Sequence, residues 1–147
     1  ATSKELFNDV YTVNSSANFD SSSPDFVNEH SFGNWPEPGV IAVTVVWAGI
    51  PIGQKGGIRI LEFDIMYDTD FAWGNAGPTS ETTNANVTFM DLQNIATHET
   101  GHGVGEDDIY DTACSEVTMF GFSTEGETKK RTLASADISG LQKMYGA

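Results

Sequence analysis

Cysteine, histidine and basic residues are scarce in this 147-residue chain, and each scarcity removes a class of protein. Cys114 stands alone, so no intrachain disulfide forms and a buried thiol is its expected state. Seven Lys and Arg face 21 Asp and Glu, a net charge of −14. Nothing in that balance neutralises phosphate, which excludes nucleic acid and anionic membrane as natural partners. No apolar run reaches the roughly 18 residues of a membrane span. The longest, residues 40–50, is interrupted by Thr44 and Gly49 and suits a strand. The chain has no internal repeat, and its hydrophobic residues, 39% of the total, suffice for one core. A single domain over residues 1–147, acting as a monomer, is expected. The acidic excess reads either as a solvated surface or as carboxylates that hold calcium.

The chain opens at Ala1 without Met and without a signal-like apolar segment, as expected of a processed, secreted form or of a trimmed one. Asn14-Ser15-Ser16 and Asn86-Val87-Thr88 fit the glycosylation sequon, a triplet common by chance.

The pattern of apolar residues predicts an α/β chain of mixed α+β character. Ser3 is placed to cap a short helix bearing Leu6, Phe7, Val10 and Tyr11. Residues 14–38 read as loop, with a short strand near Phe26 and Val27. Residues 40–47 are dense in β-branched side chains and predict a strand, residues 49–57 a turn, and residues 58–67 a second strand. Alternation in that second strand sends Leu61, Phe63, Ile65 and Tyr67 to the core. Ile60, Glu62, Asp64 and Met66 fall on its other face. After a polar linker at residues 75–86, Thr88 is a candidate N-cap, with Asp91 three residues on. Leu92, Ile95, Ala96 and Glu99 recur at helical spacing, and Gly103 or Gly105 should end that helix. A last helix is expected over residues 135–145, burying Ile138, Leu141, Met144 and Tyr145.

Residues 98–108 carry the chemistry, reading H-E-T-G-H-G-V-G-E-D-D. Two His four apart on a helix lie on one face and can grip one metal ion from a rigid rod. Glu99 follows the first directly and can reach a water on the metal without binding the metal itself. A metal lowers the pKa of that water toward about 7, and Glu99 is placed to take its proton and pass it to a leaving amine. A catalytic zinc needs a third protein ligand and one open position. The remaining histidine, His30, lies far upstream, so the third ligand should be a downstream carboxylate or Cys114. Gly105 permits the positive φ that turns the chain back beneath the metal, and Asp108 follows three residues later. Asp107 and Asp111 are rivals.

The completed pattern H-E-x-x-H-x-x-G-x-x-D resembles that of the metzincins, and within them the chain is similar to the matrixins over about residues 39–146. In the usual pattern the third ligand is His. Asp108 makes the site more negative and less soft, still suited to zinc. The resemblance implies a metzincin-like fold: a small twisted mixed sheet, an active-site helix, a Met-turn and a C-terminal helix. It implies a zinc endopeptidase with one catalytic Zn2+. Residues 115–120 resemble the Met-turn, with Met119 as the apolar floor. Residues 131–146 resemble the family's last helix, with Asp137 anchoring the Met-turn backbone. Ala136 replaces an acid that often receives the N-terminal amine, so no such bridge is expected. Val40, Ile41 and Ala42 resemble the start of the edge strand that binds substrate as an added antiparallel strand. Phe120 and Phe122 fall on the specificity-pocket wall, and Asn94 is expected to reach that pocket's floor. Met66 stands where the family's structural zinc has a His, so no structural zinc is expected. Asp68 keeps one calcium-ligand position and Phe71 replaces another, so a Ca2+ site at Asp68 and Asp70 competes with a solvated turn. Residues 1–38 are a diverged or pared-down counterpart of the family's first strands and helix.

Two other readings stand beside this one. A peptidase with a distant glutamate, Glu125 or Glu127, as third ligand keeps H-E-x-x-H, although neither residue lies in a helical pattern. A non-catalytic metal-binding or interaction module has no use for Glu99 as a base.

Overall fold

A computed structural model describes residues 6, 7, 10–49, 59–77 and 86–146. The cap at Ser3, the N-terminal amine, most of the turn at 49–57 and most of the linker at 75–86 lie outside them. Leu6, Phe7, Val10 and Tyr11 are not helical. Phe7 instead packs edge-on against Phe63, with ring centroids 5.8 Å apart.

The main sheet has three strands in the order β1-β3-β2: β1 (Glu29–Gly33), β2 (Ala42–Gly49) and β3 (Arg59–Asp68). β1 runs parallel to β3 and β2 antiparallel to it, so the sheet is mixed. β4 (Trp73–Gly74) and β5 (Met90–Asp91) form a second, two-stranded sheet. Helix α1 (Leu92–Gly103) follows β5 directly, and α2 (Ser135–Tyr145) closes the chain. The molecule is thus a small mixed α/β protein with a small sheet and two helices.

Phe63, Ile65 and Tyr67 of β3 pack with Met90 and Ile95 to make the core between sheet and α1. The approach is close because Gly103 carries no Cβ: one built there would stand 2.7 Å from the Phe63 ring. Four details differ from the pattern reading. Leu61, expected in the core, is largely exposed. Glu62, Asp64 and Met66, on the opposite face, are buried, because the segment before β1 covers them. Asp64 accepts the amide N–H of Asp20 at 2.8 Å and of Glu29 at 3.1 Å. Backbone donors of Asp20, Phe26 and Glu29 reach the two carboxylates of this face, and alternation does not register them. The strand expected at Phe26 and Val27 begins at Glu29 instead; Phe26 has a φ of +70°, outside strand geometry. In α2, Leu141 is buried but Met144 is exposed.

Candidate metal centre

Asp91, not Thr88, caps α1. Its side chain accepts the amide N–H of Asn94 at 2.9 Å, and Asp91 with Met90 before it forms β5. Arg131 braces the cap, its Nε donating to Asp91 Oδ1 at 2.8 Å and its second nitrogen pairing with Oδ2. Burial pushes the Asp91 carboxyl up. Arg131 and the amides of Ala76 and Asn94 outweigh this and hold it below the ordinary carboxylate range.

From this cap the helix carries His98 and His102 one turn apart, with ring centroids separated by 4.8 Å. The helix ends in a Schellman motif. The amide of Glu106 bonds the carbonyl of Gly101 at 2.9 Å, that of Gly105 bonds His102 at 2.9 Å, and Gly105 has φ +95°. The reversal brings Asp108 under the two imidazoles. Asp108 Oδ1 lies 3.2 Å from His98 Nε2 and 3.6 Å from His102 Nε2. A tetrahedral ion bonded at 2.0–2.1 Å separates its ligands by about 3.3 Å, so these two separations suit one small divalent ion.

The protonation pattern fits as well. His98 Nδ1 lies 2.8 Å from the Thr118 carbonyl oxygen, and His102 Nδ1 lies 2.8 Å from that of Glu106. Each Nδ1–H donates outward and leaves the Nε2 lone pair facing inward. Burial lowers the His98 pKa and favours the neutral ring, although the Thr118 carbonyl opposes this. Asp108 Oδ1 is buried with no hydrogen-bond partner. Three lone pairs therefore face a common space, an arrangement that a shared proton or a bound cation would relieve.

Glu99 lies beside this centre, buried, and lines the same cleft as His98, His102 and Asp108. The Thr44 hydroxyl of β2 donates to its Oε2 at 2.6 Å. Burial raises the Glu99 pKa, and the Thr44 bond works against the rise. The arrangement can hold a divalent cation, keep one carboxylate unligated beside it, and admit a substrate from the cleft.

Met119 is buried beneath the helix, its sulfur in the space that a Cβ on Gly101 would take. Asp137 at the start of α2 accepts the amide N–H of Thr118 at 3.0 Å and of Met119 at 3.3 Å. One carboxylate thus fixes both the carbonyl-bearing residue that orients His98 and the methionine below it.

Of the pocket residues expected from sequence, Val40, Ile41, Ala42 and Phe122 line the cleft, though β2 begins only at Ala42. Phe120 does not line it; it is buried and bridges to Ile109. Asn94 does not line it either. Its amide donates to Ser123 and Glu127, each at 3.2 Å, and its oxygen accepts the Lys130 amide at 2.7 Å. It pins the segment that carries the pocket wall. Those bonds also engage Glu127, which accepts from Ser123 at 2.8 Å and stands 3.6 Å from Lys130 Nζ, so it is not free to be a third ligand. Glu125 and Asp107 are exposed, and Asp111 caps a 3₁₀ turn, Thr112–Cys114. Cys114 is half-buried, and His30 bonds the Tyr67 hydroxyl at 2.7 Å. Asp68 accepts the Asp70 amide at 3.0 Å, and Asp70 accepts from the Asn34 side chain at 3.3 Å. Neither Asp68 nor Asp70 belongs to a three-residue ligand group among the described residues.

Sequence reasoning missed Thr44, Arg131 and Tyr110, whose hydroxyl donates to Asp108 Oδ2 at 2.8 Å. Tyr110 sits two residues past Asp108, where a donor can fix that carboxylate's second oxygen. Thr44 and Arg131 carry no local signal, since their partners lie 55 and 40 residues away. Comparison with protein-family models and with curated proteins returns no match.

Proposed function

We propose that the protein is a zinc-dependent endopeptidase, metzincin-like in its active-site half. The observation that carries this reading is the convergence of His98 Nε2, His102 Nε2 and the unpartnered Asp108 Oδ1 within 4.8 Å of one another. Bound there, zinc would supply Lewis acidity, acidifying a water and polarising a peptide carbonyl.

Glu99 then acts as the base. Its carboxylate accepts a proton from the attacking water and returns it to the amide nitrogen that leaves. The Thr44 hydroxyl holds one Glu99 oxygen and leaves the other for that exchange. Burial favours the protonated carboxyl that must exist between the two transfers. An extended peptide would pair with β2, the edge of the main sheet among the described residues, and lay its scissile bond across the cleft. A purely structural ion would gain nothing from the buried, unligated Glu99, which favours catalysis over the binding-module reading.

Cleavage of casein and zinc content, measured together on wild type and Glu99→Ala, test the proposal. The variant should keep its zinc and lose roughly 10²–10⁴-fold in rate. A fully active Glu99→Ala protein would sink the mechanism.

A further inference from the structure

A second set of carboxylates lies on the face of β3 turned away from α1, and the chemistry above does not use it. Asp20, Asp25 and Glu62 bring one oxygen each within 4.8 Å of one another, and Asp20 forms a like group with Glu29 and Asp64. Local bonds aim the first three. Asp20 Oδ1 accepts from the Asn18 side chain at 2.6 Å, and Asp25 Oδ1 accepts the Val27 amide at 2.8 Å. Glu62 Oε2 accepts the Phe26 amide. Each therefore spends one oxygen on the fold and has a second to present.

Glu62 decides the matter. The residue is 1% exposed, yet its Oε1 is buried with no hydrogen-bond partner. Glu29 Oε2, in the overlapping group, is in the same condition. Among the described residues, no Lys or Arg pairs with any of the five acids. A buried carboxylate without a counter-charge is costly, and the donor set is oxygen alone. Such a set suits a hard divalent cation rather than zinc.

We propose that Asp20, Asp25 and Glu62 form a calcium site, next to the group that Asp20 also makes with Glu29 and Asp64. Asp64 stands behind it, both its oxygens engaged by the amides of Asp20 and Glu29. The ion would fasten residues 18–29 to β3. The Trp47 indole donates to the Asp20 carbonyl at 2.8 Å, so the same fastening reaches β2, the strand beside the cleft. This site is distinct from the Asp68–Asp70 turn and independent of the peptidase reading.

The test is terbium luminescence on the full chain holding one equivalent of zinc, excited through tryptophan, with Ca2+ as competitor. Trp47 should sensitise saturable emission that Ca2+ displaces with Kd below about 1 mM. Asp25→Asn and Glu62→Gln should each weaken that binding by at least about tenfold, while Asp70→Asn leaves it unchanged. Asp25 is exposed, so its variant reports on the ion rather than on folding. Calcium should raise Tm in wild type and not in Asp25→Asn. Absence of saturable binding, or binding unchanged in both Asp25→Asn and Glu62→Gln, overturns the proposal.

Discussion

Asp91, at the start of the helix that carries His98 and His102, and Asp64, in the sheet, are both buried. Their carboxyls are nonetheless displaced in opposite directions. Asp91 has a guanidinium and two amides and is held below the ordinary range. Asp64 has two amides and no cation, and burial, with Asp20 and Asp25 nearby, leaves it raised. Beside the helix cap a cation compensates the buried carboxylate. Behind β3 the carboxylates are met by backbone amides and the Asn18 side chain, with no cation paired to them among the described residues. Burial by itself thus says little about what a carboxylate does; the partner decides.

The sharpest way to break this comparison is Arg131→Met. It strands Asp91, fully buried, without its charge partner, and should cost about 3–5 kcal/mol in urea unfolding at pH 7. Asp64→Asn should cost only about 1–3 kcal/mol, from one backbone amide left unsatisfied. Equal losses would erase the distinction between the two carboxylates.

Acid should separate the two residues by sign. Asp91 has a folded pKa below its unfolded value, so its contribution is complete above about pH 4 and is lost as pH falls through the folded pKa. The stability gap between wild type and Asp91→Asn should therefore close on acidification. Asp64 has a folded pKa above its unfolded value, so it opposes folding when ionised, and that penalty is relieved as pH falls through the folded pKa. Urea midpoints of Asp91→Asn and Asp64→Asn from pH 7 to pH 2.5 check both signs.

The smallest effect should be that of Tyr110→Phe. Tyr110 is exposed, so stability should hold, while zinc affinity falls about tenfold as Asp108 loses its second bond. Competition with a chromophoric chelator would measure it.

Sequence reading brought His98, His102 and Asp108 together better than it described the sheet around them, for a physical reason. His98, His102, Gly105 and Asp108 are fixed relative to one another by one helix and one turn, so their geometry is local and their spacing reveals it. Met119 and Asp137 were legible through resemblance. Thr44, Arg131 and the burial of Glu62 depend on chain segments tens of residues away, and no periodicity encodes them. β1 escaped for the same reason: its parallel pairing with β3 joins Glu29 to Asp64 across 35 residues, and its own five residues carry no clear alternation. The cap falls at Asp91 rather than Thr88 because Met90 and Asp91 pair as β5, which delays the helix to Leu92.

The central claim is that His98, His102 and Asp108 together hold a catalytic zinc. X-ray absorption at the zinc edge of the loaded protein tests it most directly. Two imidazole nitrogens near 2.0–2.1 Å with carboxylate oxygen near 2.0–2.2 Å are predicted, and Asp108→Ala should lose that signature with its zinc. A third imidazole, a sulfur near 2.3 Å, or an unchanged spectrum in Asp108→Ala would contradict the account.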